Sequence, residues 1–252
     1  MCTIALLLDT VADAPLVLAA NRDELYARPT RPPERSVSGV VGGVDVLSGG
    51  TWLAVRPGGQ FAAVTNQRAL APPLPGLRSR GLVVRELVEA DDADAYVRAI
   101  DPTRYASMNL VWGDGRRASI AYVRQDGGLE IHPLGPGIHV LCNDRLGAEG
   151  FPRGARLAAA LTAVAGQSFE VCRPMIERAL GDHTRVPLAD VPSSDLPVEL
   201  ARELSATCIH SELYGTRSAT IYAAAPGRAL HYLHANGPPC TRPFIDRSAL
   251  LG

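Results

Sequence analysis

The sequence predicts an α+β protein in which mainly antiparallel strands accompany two groups of helices. Strand pairs are indicated by short apolar runs separated by turn-forming residues, as at residues 57–59 and 113–115. Apolar residues recur at helical spacing in two separate stretches, within residues 81–100 and 153–180. The first two apolar runs are apolar at successive positions, so their sheet is expected to be covered on both faces.

Composition narrows the class of protein. The chain has 252 residues, enough for one large core or two smaller ones, and a formal net charge of −1. This charge argues against nucleic acid or an anionic membrane surface as the usual partner. Five cysteines in no paired spacing favour a reducing compartment, and neither a secretion signal nor a long apolar run is present. We therefore expect a cytoplasmic protein without a membrane span.

The chain contains no lysine, since all 25 Lys and Arg positions are arginine. Lysine Schiff bases, P-loop lysines and lysine general bases are thereby excluded as catalytic groups. The α-amine at the amino terminus is the only primary amine of the molecule.

The first hairpin brings a cysteine next to a polar cluster at residues 21–24. Two apolar runs flank a turn-forming stretch that ends at Pro15. If residues 9 and 16 close the turn, paired residue numbers add up to about 25, and directly paired residues share one face of a sheet. This register places Cys2 opposite Asp23 and Thr3 opposite Arg22.

Cys2 is a candidate nucleophile. Removal of Met1 would leave a free α-amine on the same residue as the thiol, and the pKa values of these groups, about 8 and about 8.5, allow proton exchange near neutral pH. The alternative interpretation is that Cys2 is a small apolar residue at the start of a strand. The polar cluster opposite Cys2 favours the interpretation that Cys2 is a nucleophile.

The middle of the chain predicts loops, strands and one helical pair. Residues 27–34 are expected to be irregular because of their prolines, and residues 42–50 to form tight turns. A hairpin over 51–56 and 60–66 ends at Asn66, whose amide could cap a turn or donate to an oxyanion. A proline-rich connector at 69–80 precedes two amphipathic helices.

The second half predicts a meander followed by helices and further strands. The runs 108–112, 118–123, 129–134 and 137–143 read as one antiparallel meander that ends at Asn143. Helices are predicted over 153–165 and 169–180, then an irregular stretch at 181–197. Strands are expected at 207–211, 218–223 and 229–234, with Arg217 where a strand begins, a position equally compatible with a surface arginine.

Other chemistries find little support in the sequence. The chain has no Cys-x-x-Cys, and the spacings Cys208-x-His210 and His231-x-x-His234 on strands converge poorly, so no metal is expected. It also lacks a Gly-x-Ser-x-Gly elbow and a dinucleotide-binding glycine pattern.

Several spaced motifs carry a resemblance to a known family. They are, in chain order, Met1-Cys2-Thr3, Asn21-Arg22-Asp23-Glu24 with Arg28-Pro29, Gly49-Gly50-Thr51-Trp52-Leu53, Thr65-Asn66, Leu141-Cys142-Asn143 and Tyr214-Gly215-Thr216-Arg217. With them the chain resembles the NRDE family, also called the transport and Golgi organisation protein 2 family. That family is similar to the cysteine amino-terminal-nucleophile hydrolases, such as choloylglycine hydrolases and penicillin V acylases.

The resemblance implies a single domain over residues 1–252 with a four-layer αββα sandwich. It implies the following roles: Cys2 as nucleophile and base, Arg22 and Asp23 as groups that orient the amine and tune the thiolate, Asn66 and Asn143 at the oxyanion site, and Arg217 closing the charge network. The implied reaction is thiolate attack on an amide carbonyl, then hydrolysis of the acyl-enzyme. In the acylases the arginine and aspartate are more widely spaced, which leaves the role of Asp23 open.

Two other functions stay open on the sequence alone. A non-catalytic carrier of haem or lipid could keep the hydrolase scaffold, and a binding module would have no active site. The chain has no Cys-Pro dipeptide of the kind that often binds haem, and its histidines are scattered. The expected partner is a small-molecule or acyl-amide substrate, with no cofactor, and haem only for the carrier.

Overall fold

Two antiparallel sheets, each covered on its outer face by helices, make up the fold. The computed structural model describes residues 2–68 and 74–252. Met1, whose removal would expose the α-amine of Cys2, lies outside the described residues, as does part of the expected connector at 69–80. The expected four-layer αββα sandwich is confirmed.

The helices and strands follow the chain in this order. The strands are β1 (Cys2–Val11), β2 (Ala14–Leu25), β3 (Thr30–Arg35), β4 (Val41–Asp45), β5 (Leu53–Val55), β6 (Phe61–Asn66), β7 (Met108–Gly113), β8 (Ala118–Val123), β9 (Leu129–Leu134), β10 (Gly137–Leu141), β11 (Tyr214–Ala225), β12 (Arg228–Ala235) and β13 (Ile245–Asp246). The α-helices are α1 (Arg80–Glu89), α2 (Ala93–Arg98), α3 (Pro152–Leu161), α4 (Phe169–Leu180) and α5 (Val198–Glu203).

The two sheets divide the chain unequally. Sheet I has the strand order β10-β1-β2-β11-β12-β13, and sheet II has the order β3-β4-β5-β6-β7-β8-β9. Sheet II is thus a continuous run in chain order, whereas sheet I combines strands from both ends of the chain with one from the middle. The central pairing of sheet I, between β2 and β11, joins segments far apart in sequence.

Three apolar layers hold the sandwich together. In β1 the even-numbered residues Ile4, Leu6 and Leu8 face sheet II, and the odd-numbered Ala5 and Leu7 face helices α3 and α4. The outer face of sheet II packs against α1, as its valine and leucine stripe predicts. Both faces of the first hairpin are therefore buried, as expected, and polar side chains near its open end are exceptional.

The first hairpin has a register one residue away from the predicted one. Cys2 pairs with Arg22 and Thr3 with Asn21. Because side chains alternate between the two faces of a strand, Cys2 and Arg22 point toward sheet II, while Asn21 and Asp23 point toward the helices. The prediction that Cys2 lies opposite Asp23 is wrong.

A β-bulge near the turn causes this shift. Val11 pairs with Ala14 across the turn, whereas Leu8 pairs with Leu16, so one extra residue lies in the first strand. Asp9, within the bulge, has a φ of 49°, in the left-handed region that aspartate tolerates better than most residues. The sequence shows a turn there but not the inserted residue.

Residues 27–34 are not wholly irregular, because Thr30–Arg35 form the edge strand β3 of sheet II. Its pairing with β4 is interrupted between Arg31 and Glu34, where Pro32 and Pro33 lie. Proline cannot donate a ladder hydrogen bond, so an edge strand with a bulge is where a sheet accepts it. The glycine-rich stretch likewise contains a strand, β4.

The predicted four-stranded meander stops after three strands. Strands β7, β8 and β9 lie side by side in sheet II, but β10 crosses to sheet I and pairs with β1. The crossing takes place at Gly135 and Pro136, and Gly137 has a φ of 125°. Asn143 consequently follows the end of β10, the strand that pairs with β1.

Near the carboxyl end the boundaries also differ from those predicted. Residues 207–211 form only an isolated bridge between His210 and Gly215, not a strand. The stretch 181–197 is irregular apart from one short turn of 3₁₀ helix, and α5 follows it without having been predicted. Among the described residues, no helix has the length and apolar character needed to cross a bilayer.

Buried His234 predicts acid sensitivity of the fold. It lies on β12 at 4% exposure, and its Nδ1 is 3.1 Å from the Thr220 hydroxyl. Burial, helped by Arg247, lowers its pKa from 6.5 to about 4. Between these values the unfolded chain binds a proton that the folded chain does not, so stability is complete above pH 6.5 and falls toward pH 4.

We expect acidification from neutral pH to about pH 5 to lower the unfolding free energy of the native protein by about 2 kcal/mol more than that of the variant His234→Gln. Urea unfolding at the two pH values measures this difference. His132→Gln, at an exposed position on β9, is the control and should keep the native pH dependence. An equal loss in His234→Gln would contradict the prediction.

Candidate active site

The open end of the first hairpin places Cys2 beside Arg22 on the face toward sheet II. Strand β1 starts at Cys2, which is half-buried, and the pairing with Arg22 follows from the bulged register. A cavity of about 260 Å³ lies at this end of the sandwich. Its lining includes Cys2, Arg22, Asp23, Glu24, Trp52, Asn66 and Arg80.

Arg22 is held by an aromatic ring rather than by a close carboxylate. Its guanidinium carbon lies 4.2 Å from the centroid of the Trp52 ring, and its Nη2 lies 4.0 Å from Glu24 Oε2. The side chain is 5% exposed, and Nη1 makes no hydrogen bond to any described residue. Burial lowers the pKa of Arg22, and the Cys2 thiol raises it. A buried cation with a free donor suits a developing anion.

Asp23 is the buried acid of the site. Its Oδ1 accepts a 2.7 Å hydrogen bond from the Thr216 hydroxyl, and its backbone carbonyl accepts one of 2.9 Å from the Tyr214 hydroxyl. Burial raises the pKa of this carboxyl, while Arg153 and Thr216 lower it. The carboxylate is therefore fixed in orientation by strand β11.

The Cys2 thiol is harder to ionise than an ordinary cysteine. Burial raises its pKa, and the charge of Asp23 raises it further, while Arg22 lowers it. The thiol is thus neutral near neutral pH unless a base takes its proton. A nucleophilic role requires such a base next to the sulfur.

The two candidate asparagines are linked to each other, but only one lines the cavity. Asn66, exposed at the end of β6, lines it, and its backbone carbonyl accepts a 2.9 Å hydrogen bond from Asn143 Nδ2. Asn143 is 4% exposed, and its Oδ1 accepts a 2.8 Å hydrogen bond from Arg153 Nη2. Asn143 therefore fixes the backbone at Asn66 and does not line the cavity.

Arg217 lies elsewhere than expected. It occupies a bulge of β11 between Thr216 and Ser218, and its guanidinium donates to the carbonyl of Tyr26. It is not among the residues that line the cavity. The bulge turns this side chain out of the strand's alternation, so its role behind Cys2 is not supported by its position.

Arg153 is a buried arginine beside the site that was not predicted from the sequence. It lies in the first turn of α3 at 1% exposure and donates to the Leu204 carbonyl at 2.5 Å as well as to Asn143. Its charge also lowers the pKa of Asp23. An arginine one residue after a helix-starting proline looks like a surface residue, so the sequence carries no signal for this role.

Asn21, the first residue of the polar cluster, supports the structure behind the site. Its Nδ2 donates 2.9 Å hydrogen bonds to the carbonyls of Leu180 and Thr207. It ties β2 to the end of α4 and to the segment before β11. This explains why an amide side chain occurs on the otherwise apolar helix-facing side of β2.

The four-layer αββα sandwich is an amino-terminal-nucleophile-hydrolase-like fold. The chain is similar to an N-acylethanolamine-hydrolyzing acid amidase orthologue of Caenorhabditis elegans, with a TM-score of 0.55 and 13% identity over 87% of this chain and 92% of that one. It is also similar to the C2A mutant of the conjugated bile acid hydrolase of Clostridium perfringens, with a TM-score of 0.57 and 12% identity over 100% and 94% of the two chains. At these identities the likeness establishes the fold.

Sequence comparison identifies the family. The profile of the Transport and Golgi organisation 2 family matches residues 1–234, and the chain belongs to this family. It is 29% identical to the Transport and Golgi organization protein 2 homolog of Bos taurus over 237 residues, covering 82% of this chain and 80% of that protein. The corresponding human protein is 27% identical over the same shares. The resemblance drawn from the spaced motifs is confirmed.

Substitution of Gly43 tests the stacking of Arg22 on the Trp52 ring. A Cβ at this position would lie 2.3 Å from Trp52 Cη2, so Gly43→Ala must displace the ring. We expect a loss of about 1–3 kcal/mol in unfolding free energy and altered tryptophan emission, since the ring supports the Arg22 guanidinium. Gly135→Ala, which meets no atom within 4 Å, is the control. Equal stability of the two variants would show that the ring packs differently.

Arg153 tests the link between the helical layer and the asparagines. Arg153→Met leaves the Leu204 carbonyl and Asn143 Oδ1 without their donor, which should cost about 2–4 kcal/mol in urea unfolding. Arg156→Met, on the same helix with a 28% exposed side chain, should cost about 0.5 kcal/mol or less. Similar costs for the two variants would refute the buried network.

Proposed function

We propose that the protein is a cysteine amino-terminal-nucleophile hydrolase that cleaves a C–N amide bond of a small or acylated substrate through an acyl-enzyme on Cys2. The observation that carries the proposal is the pairing of Cys2 with Arg22 at the mouth of a cavity, with the buried carboxylate of Asp23 behind. The activity would take place in the cytoplasm, as the composition suggests.

The base is the α-amine that removal of Met1 creates on Cys2. Burial raises the pKa of the thiol, so the reaction needs a proton acceptor at the sulfur. An α-amine, with a pKa of about 8, is a suitable acceptor on the same residue. Asp23, oriented by Thr216, would hold the protonated amine, and Arg22 would stabilise the thiolate.

The chemical steps balance within this set of groups. The thiolate attacks the amide carbonyl and forms a C–S bond, and the protonated α-amine gives its proton to the leaving nitrogen as the C–N bond breaks. Water then attacks the thioester, with the α-amine as base, and releases the acid and the free thiol. No metal or redox partner is needed for any of these steps.

Charge on the carbonyl oxygen would be stabilised by donors at the cavity. The Asn66 amide lines the cavity, and Arg22 Nη1 is an unused donor. Asn143 would act as a positioning residue, because its amide holds the Asn66 carbonyl and is itself held by Arg153. Arg217 would act only by fixing the chain at Tyr26.

Arg80 favours a substrate that carries a negatively charged group. It lines the cavity at the start of α1 and donates to the Ser107 carbonyl at 3.2 Å. Within the described residues it forms no ion pair with a carboxylate, unlike Arg28, which is paired with Asp45 at 2.6 Å. A carboxylate or phosphate on the substrate would complete this position.

Maturation at the amino terminus is the sharpest test of the proposal. Because the chain has no lysine, an amine-specific label must attach at the terminus, and intact mass identifies the first residue. We expect Cys2 to be the first residue, and its thiol to react with an acylating or alkylating reagent faster than the buried Cys142 and Cys172, as mapped by peptide mass spectrometry.

The variant Cys2→Ala should lose the fast reaction with the acylating or alkylating reagent and the amide hydrolysis, and it should keep the fold. Cys142→Ala, at a buried cysteine outside the cavity lining, is the matched control and should retain both. A protein that keeps Met1, or a mature Cys2 that stays unreactive while the chain binds haem, would contradict the hydrolase and favour the carrier.

A further inference from the structure

A second cluster of reactive side chains lies away from Cys2. His183, His210 and Cys240 each place one ligand atom so that all lie within 4.8 Å of one another. Cys208 joins them, with its Sγ 3.6 Å from Cys240 Sγ and 3.6 Å from His210 Nε2. The His210 Nε2 to Cys240 Sγ distance is 3.0 Å.

These four residues come from three segments that the fold brings together. His183 follows the end of α4, Cys208 and His210 precede β11, and Cys240 lies in a turn after β12. The Cys208 N–H donates to the Asp182 carbonyl at 2.8 Å, which fixes the first two segments to each other. The third packs closely, since a Cβ on Gly181 would lie 3.4 Å from the Cys240 nitrogen.

We propose that His183, Cys208, His210 and Cys240 bind one zinc ion at a structural site. Two thiolates and two imidazoles are a preferred ligand set for tetrahedral zinc. Zn–S bonds of about 2.3 Å and Zn–N bonds of about 2.0 Å imply sulfur–sulfur and sulfur–nitrogen separations of about 3.5–3.8 Å in a tetrahedron. The distances from Cys208 to Cys240 and His210 match this range, and rotation of the exposed imidazoles of His183 and His210 would complete the tetrahedron.

The surroundings suit a cation. The cluster lies where α4 ends, and a helix carboxyl terminus favours positive charge. The four side chains line a cavity of about 280 Å³. Arg185, which also lines this cavity, is paired with Glu203, so its charge is balanced locally. Zinc binding would replace the protons of both thiols by Zn–S bonds and release two protons to solvent.

The proposed zinc would stabilise the side of the fold on which Asp23 depends. Within the segment that carries Cys208 and His210, the Ile209 N–H donates to the Thr216 hydroxyl at 2.9 Å. The same hydroxyl donates to Asp23. The backbone carbonyl of Thr207, the residue before Cys208, accepts a hydrogen bond from Asn21 Nδ2. A metal that fixes this segment therefore acts at a distance on the orientation of the Asp23 carboxylate.

A disulfide between Cys208 and Cys240 is the main alternative. The two sulfurs are 3.6 Å apart, well beyond the bond length of about 2.0 Å, and both cysteines are free in the structure. A disulfide would also leave the convergence of two histidines on the same point unexplained. The proposal departs from the expectation of no metal, which weighed the spacing Cys208-x-His210 without the other two segments.

The experiment measures metal on the full-length protein. We expect about one zinc per chain by elemental analysis, and Co²⁺ added to the metal-free protein should give thiolate charge-transfer and tetrahedral absorption bands. Cys240→Ser and His183→Ala should each weaken zinc binding at least tenfold in a competition titration. His132→Ala and Cys2→Ala should bind as the native chain does, which separates this site from the proposed nucleophile.

His183 is exposed, so His183→Ala keeps the test valid if Cys240→Ser fails to fold. Zinc should raise the unfolding temperature of the native chain and of Cys2→Ala, and raise that of His183→Ala less. Zinc or cobalt binding no tighter in the native chain than in His183→Ala would overturn the proposal. So would a Cys208–Cys240 disulfide detected by peptide mass spectrometry in protein purified without reductant.

Discussion

The pairing of the first two strands decides where Cys2, Arg22 and Asp23 of the proposed site lie. One extra residue in the bulge at Asp9 moves the register so that Cys2 is opposite Arg22. With the side-chain period of a strand, a shift of one residue exchanges the two faces. The thiol and the guanidinium therefore share the face toward sheet II and the cavity, and the carboxylate of Asp23 is left on the face toward the helices, where Thr216 fixes it.

Several buried polar groups near this point are connected by hydrogen bonds, which lowers the cost of burying them in an apolar sandwich. Arg153, Asn143 and the backbone of Asn66 form one chain of hydrogen bonds from the helical layer to the cavity. Asn21 connects β2 to the segments behind it. Each bond satisfies a group that would otherwise lose its hydration on burial. The polar cluster therefore serves as internal scaffolding as well as candidate catalytic machinery.

Much of the fold and the proximity of Cys2, Arg22 and Asp23 could be predicted, because these residues lie at the ends of adjacent strands of one local hairpin. The register could not, since a bulge depends on the backbone at Asp9. The burial of Arg153 and the outward position of Arg217 depend on packing between distant segments. The same holds for the His183 and Cys240 cluster, whose members lie in irregular segments with no periodic pattern.

The strand order of sheet I determines the order in which its strands can pair during synthesis. Strand β2 is synthesised long before its partner β11, which contains residues 214–225. Until then β2 has an open edge, and Asp23 lacks Thr216. Pairings between such distant segments form late and slowly. The first hairpin thus waits for a strand that lies far downstream, and Asp23 gains the Thr216 hydroxyl, 193 residues later in the sequence, only when that strand has been made.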